Sequence, residues 1–288
     1  MNRLMLSLSA TLALASCALT PSAPPQSLSL PDFYQKYVDA NGIPVIASAR
    51  VPDEALFAAR DMATGMIAHR ADLAQWLRDN NYRIAIIAED EALLDLPEFS
   101  DWTIPASDDI RLTRCERKHY DERIGRLTAR EYWDARVRGI GGPLTVGAEE
   151  DVLGKRESRY YGETILVHEF AHGILFAIES ADPALYAEVE ATYAKAKANN
   201  LWQNEYAMTT VQEYWAEGTQ FWFDSNALVV VDGRQILSHG DLAAYDPQLA
   251  VLLQRVYGGT HQLNSDPFWM SEARVPPGPI PTNTAEEC

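Results

Sequence analysis

The sequence predicts an α+β fold, mostly helical, with a small mixed sheet beside one buried helix. Three observations lead there. Stretches with apolar residues three and four positions apart recur along the chain and read as helices. Two short runs dense in β-branched residues, at 43–47 and 83–88, stand among them as strands. Residues 165–176 (ILVHEFAHGILF) are apolar nearly all the way round, as a helix inside a core must be.

Residues 1–16 have the make-up of a signal segment. Arg3 supplies the positive start, Leu4 to Ala15 an apolar run too short to span a bilayer, and Leu14-Ala15-Ser16-Cys17 a processing site. These four residues resemble the lipobox of bacterial lipoproteins. The resemblance implies acylation of Cys17 and a chain tethered to the membrane without a spanning helix. Ala18 stands where an Asp would resemble an inner-membrane retention signal. The expected location is therefore the outer membrane, facing the periplasm. An ordinary secretory signal followed by an incidental Cys is the alternative. Residues 17–30, rich in Ser and Pro after Cys17, read as a flexible tether. A single domain over 31–262 follows, long enough to hold its own core, and residues 263–288 form a Pro-rich tail.

Within the domain, Ile43 to Ala47 suits a strand. Pro52-Asp53-Glu54 opens a helix through about His69, with Ala55, Leu56, Ala59, Met62 and Met66 on helical spacing. A second helix is expected over 71–79, a buried strand over 83–88 and a further helix over 128–136. Gly139-Ile140-Gly141-Gly142-Pro143 reads as a turn, and Leu144 to Gly147 as an edge strand near the apolar helix. Pro183 starts a helix through about Ala198 whose alternating Glu and Lys suggest an exposed face. Another helix runs from about Thr210 to Phe223. A hairpin around Asp232-Gly233 and a final helix over 247–257 complete the reading.

The formal net charge is −17, and about −18 once residues 1–16 and their Arg3 are removed. Such a surface disfavours nucleic acid and anionic lipid headgroups as partners. Besides Cys17 the chain has Cys115 and Cys288. In an oxidising compartment these two could pair and pin the tail to the body, or remain free thiols.

The chemistry-bearing motif is His168-Glu169-Phe170-Ala171-His172, an HExxH pattern. On a helix, positions i and i+4 share a face, so both imidazoles can bind one zinc ion. Glu169 then lies within reach of the water that such a metal activates. Two core histidines and a surface Glu would be the structural use of the same residues. A catalytic zinc site has three protein ligands. A third His six residues after His172 is excluded, because Ile178 stands there. Glu188 and Glu190 lie on the helix with the solvated Glu/Lys pattern. Glu213 and Glu217 are i and i+4 on one face among Tyr214, Trp215, Phe221 and Trp222, where two carboxylates need partners. Zinc for Glu213 and a ligand imidazole N–H for Glu217 would supply them. Thr210-Val211-Gln212-Glu213 also reads as a capping box, a structural use of Glu213 alone.

HEFAH followed about 40 residues later by Glu-aromatic-aromatic-Ala-Glu resembles the catalytic domain of anthrax lethal factor and its relatives, gluzincin metallopeptidases. The resemblance covers about 55 residues. Residues 51–98 and 139–153 are more similar to bacterial and fungal proteins that share this zinc pattern. The resemblance implies His168, His172 and Glu213 as zinc ligands, Glu169 as general base, and Tyr206, seven residues before Glu213, as the group that steadies the transition state. Tyr214 and His261 are alternative donors, and a plain core aromatic is the structural alternative for Tyr206. The toxin's substrate-docking regions have no counterpart, so its substrates do not carry over. The expected activity is hydrolysis of a peptide or protein by a zinc-dependent, lipid-anchored monomer. Zinc or peptide binding without turnover, and hydrolysis of cell-wall stem peptides, are the rival readings.

Overall fold

The computed structural model describes residues 20–109, 112 and 114–280. Residues 1–16, Cys17 and Cys288 lie outside them, as therefore does any bridge from Cys115 to Cys288. The sheet begins with a hairpin. Strand β1 (Lys36–Ala40) turns at Asn41-Gly42 into β2 (Ile43–Ala47), antiparallel, with Ala40 opposite Ile43. Both turn residues have positive φ, 54° and 86°, the geometry whose twist matches paired strands. Helices α1 (Asp53–Ile67) and α2 (Ala71–Asp79) then carry the chain to β3 (Ile84–Ile87), parallel to β2. Ser22 pairs with Tyr37 on the open side of β1, so this end of the expected tether lies along the sheet edge.

Three short helices follow, α3 (Arg114–Arg117), α4 (Tyr120–Arg123) and α5 (Ala129–Arg136). The chain returns as β4 (Thr145–Ala148), parallel to β3, giving the order β1-β2-β3-β4. Alternate residues of the sheet enter two different cores. Ile84 and Ile86 of β3 face α1, α2 and the long helix below, while Ala85 and Ile87 face Phe99, Tyr132 and Trp133. Burial on both faces explains why β3 reads as a continuous apolar run rather than an alternating one.

The turn α6 (Glu149–Val152) leads to α7 (Ile165–Ala181), the predicted apolar helix. Then come α8 (Pro183–Ala198), α9 (Val211–Trp222), the hairpin β5 (Val229–Val231) and β6 (Arg234–Ile236), α10 (His239–Tyr245) and α11 (Pro247–Tyr257). The fold is α+β, as the sequence reading expected. Helix α9 packs across α7, and α11 backs α9 so closely that a Cβ on Gly218 would stand 2.6 Å from Leu249 Cδ2. Residues 263–280 lie against the body: Asp266 accepts from Thr164 Oγ1 at 2.6 Å, and buried Arg274 donates from Nε to Asn226 O at 2.7 Å. Among the described residues no helix is long and apolar enough to cross a membrane.

Candidate active site

The N-terminus of α7 is fixed from a distance. Ile165 and Leu166 donate their backbone N–H groups to the buried Asp151 carboxylate at 3.3 and 3.2 Å. Its oxygens there satisfy orphan donors of the helix, and these bonds only partly offset the burial that raises its pKa well above the usual carboxylate range. One turn further in, His168, Glu169 and His172 offer ligand atoms that all lie within 4.8 Å of one another. Helix α9 supplies the opposing face. Its N-cap Thr210 accepts from the Glu213 N–H at 3.1 Å, but the Glu213 carboxylate does not return to the cap. It turns to the histidines instead: Oε2 is 2.9 Å from His168 Nε2 and 3.5 Å from His172 Nε2. Only half of the capping box forms, so capping does not occupy this carboxylate.

The tautomer of His168 follows from its other nitrogen. Nδ1 lies 3.0 Å from Gln220 Oε1, an acceptor, so Nδ1 carries the hydrogen. Gln220 is held in turn by donating Nε2 to Thr164 O at 3.2 Å. His168 Nε2 thus faces a carboxylate with its lone pair. Two acceptors at 2.9 Å need a cation or a proton between them. Without a metal it is a proton: burial opposes charge on His168, but the hydrogen bond and charge of Glu213 outweigh it and raise the pKa to about 10. Glu213 is partly buried, and against that desolvation hydrogen bonds from His168 and His172 hold its pKa well below the usual carboxylate range. Two nitrogens and an oxygen converging without a protein cation fit a zinc ion in donor type and number.

The sequence reading gave Glu217 the task of orienting a ligand His. The structure gives the hydrogen bond to Gln220, because Glu217 Oε1 is 3.7 Å from His168 Nδ1 and its other oxygen accepts from Asn226 at 2.8 Å. Gln220 lies three residues beyond Glu217 on the same helix face, a spacing that the sequence shows. Behind it, burial and the charge of Glu217 raise the Glu163 carboxyl to about 7. Burial likewise raises Glu169, with part of the effect offset by the two histidines and by the Gly141 N–H that points at its carboxylate.

That N–H comes from a stretch the sequence marked only as a turn. Ile140 exchanges both backbone hydrogen bonds with Val146 of β4, at 3.1 and 2.8 Å, and so closes the outer edge of the sheet. The backbone groups of Gly139 and Gly141 therefore point away from β4, toward α7. Glycine is required there: a Cβ on Gly141 would stand 2.6 Å from His172 Cβ, and one on Gly139 3.1 Å from Glu169 Cγ. Arg138, just before, is anchored by a bidentate pair with Glu150 at 2.7 and 3.0 Å.

A cavity of about 720 Å³ opens over the histidines, walled by Trp102, Trp133 and Ile140 on one side and Phe176 and Tyr186 on the other. A second of about 720 Å³ adjoins it, lined by Glu163, Glu205, Glu217 and Leu228. His168, Glu169 and Tyr206 border both, so the polar centre sits where the two cavities meet. Tyr206 is 39% exposed, its ring stacked 6.4 Å from that of His168, and its hydroxyl hydrogen-bonds Glu213. Although the residue as a whole is more than a third exposed, desolvation around its hydroxyl and the neighbouring carboxylates push its pKa upward, so it is a donor at any ordinary pH. The alternative donors are engaged elsewhere: the Tyr214 hydroxyl donates to Asp246 at 2.6 Å, and His261 Nδ1 holds Trp222 O at 2.9 Å.

No protein-family model matches the chain, and no curated protein matches it. Among solved structures, the Pro-Pro endopeptidase from Paenibacillus alvei aligns with a TM-score of 0.46 and 14% identity, over 74% of this chain and 96% of that one. At that level the likeness establishes neither a shared fold nor a shared activity.

Proposed function

We propose that the chain is a zinc-dependent peptidase that hydrolyses peptide bonds in the cleft between α7, α9 and the Gly139–Gly142 segment. One observation supports this above the rest: the Glu213 carboxylate stands 2.9 Å from His168 Nε2 and 3.5 Å from His172 Nε2, with Glu169 beside them and facing the cleft. A site meant only to hold a metal for stability has no use for that fourth group. When bound, zinc polarises the scissile carbonyl and lowers the pKa of water to about 7. Glu169 takes the proton of the attacking water and returns it to the leaving amine. Its raised pKa suits a group that must both accept and give back a proton. Tyr206 donates its hydroxyl hydrogen to the developing oxyanion. Gln220 keeps His168 in the tautomer that presents Nε2.

The same reading includes acylation of Cys17, which would hold the domain at the outer membrane facing the periplasm. Radiolabelled fatty acid retained by the intact chain and lost in Cys17→Ser tests that part. For the chemistry, Glu169→Gln is compared with the unaltered chain. Zinc content should be unchanged while peptide turnover falls by about 10²–10⁴-fold, the contribution of a general base. Turnover retained in Glu169→Gln contradicts the assignment.

A further inference from the structure

We propose that Tyr82 is a positioning residue for Glu169: one buried hydroxyl sets where the Gly139–Gly142 backbone stands, and so how closely that backbone packs against the base. The proposal rests on the peptidase reading for the role of Glu169 and on geometry alone for that of Tyr82. Tyr82 lies just before β3, is 2% exposed, and packs its ring 6.1 Å from Phe170 of α7. Its hydroxyl is 2.8 Å from Gly142 O and 2.8 Å from Thr145 Oγ1, and Thr145 Oγ1 is 3.3 Å from Glu169 O. Two hydroxyl hydrogens serve these three contacts, since both carbonyls only accept. The short contacts take them: Tyr82 donates to Gly142 O, Thr145 donates to Tyr82, and the carbonyl of Glu169 is left as a weaker third neighbour. The phenol thus ties the glycine segment to the edge strand by hydrogen bonds, and meets the HExxH helix by packing on Phe170 and Gly173.

Room for that hydroxyl is a matter of sequence. A Cβ on Gly173, the residue after His172, would stand 2.0 Å from Tyr82 Oη. Glycine in a helix interior is unfavourable, so its presence there calls for a packing reason, and the hydroxyl provides one. Gly141 shows the same economy beside it on α7, where a Cβ would stand 2.8 Å from Glu169 O. Side chains at 141 or 173 would push the segment or the phenol away from α7. A hydroxyl whose partners among the described residues are these groups, buried among them, fixes a height to within a hydrogen bond's tolerance.

Tyr82→Phe keeps the ring and removes the one group in question. Amide hydrogen exchange of the peptide covering 139–142, zinc content, and kcat and KM on a peptide substrate are measured on the full chain. The expected result is exchange about tenfold faster over 139–142 and unchanged in β2 and β3, zinc retained, and kcat lower by about tenfold with KM within twofold. Unchanged exchange overturns the proposal, as does a loss carried by KM, or faster exchange with kcat intact. If Tyr82→Phe does not fold, Thr145→Val carries the same expectations and Thr145→Ser should restore the unaltered values; no rescue by Ser also overturns it. A chain that turns over no peptide refutes the peptidase reading, and the exchange result then decides the Tyr82 contact separately.

Discussion

At the scale of single residues, the site is organised by who donates and who accepts. Gln220 is buried and bonded on both ends of its amide, so it can impose a tautomer on His168 without being charged itself. Gln220→Leu leaves the Nδ1 hydrogen without an acceptor and frees the ring to turn. Zinc affinity should fall by 10–100-fold, read by competition with a chromogenic chelator. Glu217→Gln should leave it within a few-fold, because Asn226 rather than a histidine is that carboxylate's close partner. The proton that His168 holds against Glu213 has its own consequence. With a pKa of about 10 in the metal-free protein, His168 is charged at pH 7, and metal uptake must displace that proton. Calorimetry in buffers of differing ionisation enthalpy should therefore show about one proton released per zinc at pH 7. No buffer dependence would contradict the protonated pair.

At the scale of elements, the sequence exposed long periodic pieces and hid short ones. Helices α1, α2, α8 and α11 lie where spacing, Pro and caps placed them, because each carries its own signal within ten or fifteen residues. Strand β1 was missed although Asn41-Gly42 is a strong hairpin signal, since Lys36 to Ala40 is too polar to draw notice alone. The four-residue α6 was missed for a different reason: its task, presenting Asp151 to the start of α7, is a contact across 14 residues that no local pattern shows. Asp151→Ala should cost about 1–2 kcal/mol of stability in chemical denaturation, the scale of a lost helix cap. In the site, the HExxH spacing was legible because it is confined to one helix. Gln220 shared a readable face with Glu213 and Glu217 yet went unread, since a glutamine has no motif of its own. Gly141 was legible only as a turn, because its N–H meets Glu169 through the fold rather than through spacing.

At the scale of the whole molecule, Glu163 in the second cavity sets a pH dependence. Glu163 has an ordinary pKa of 4.5 and one of about 7 in the folded, metal-free chain, where burial and Glu217 disfavour its charge. Its neutral form favours folding below about pH 4.5, and this contribution is lost as pH rises through 7. Glu163→Gln should thus be more stable than the unaltered chain at pH 8, by on the order of 1–2 kcal/mol, with the difference closing below pH 4.5. Thermal melts of the metal-free proteins across that range measure it. The cleft itself joins parts distant in the chain: the aromatic wall of the second core, the glycine segment on β4, the crossing of α7 and α9, and the strap over 263–280. Everything proposed for it depends on three side chains holding one metal. Anomalous diffraction at the zinc edge from crystals of the zinc-loaded chain tests this most directly. The account requires a single peak about 2.0–2.2 Å from His168 Nε2, His172 Nε2 and a Glu213 carboxylate oxygen. A peak elsewhere, or one with the Glu213 carboxylate more than about 5 Å away, would contradict it.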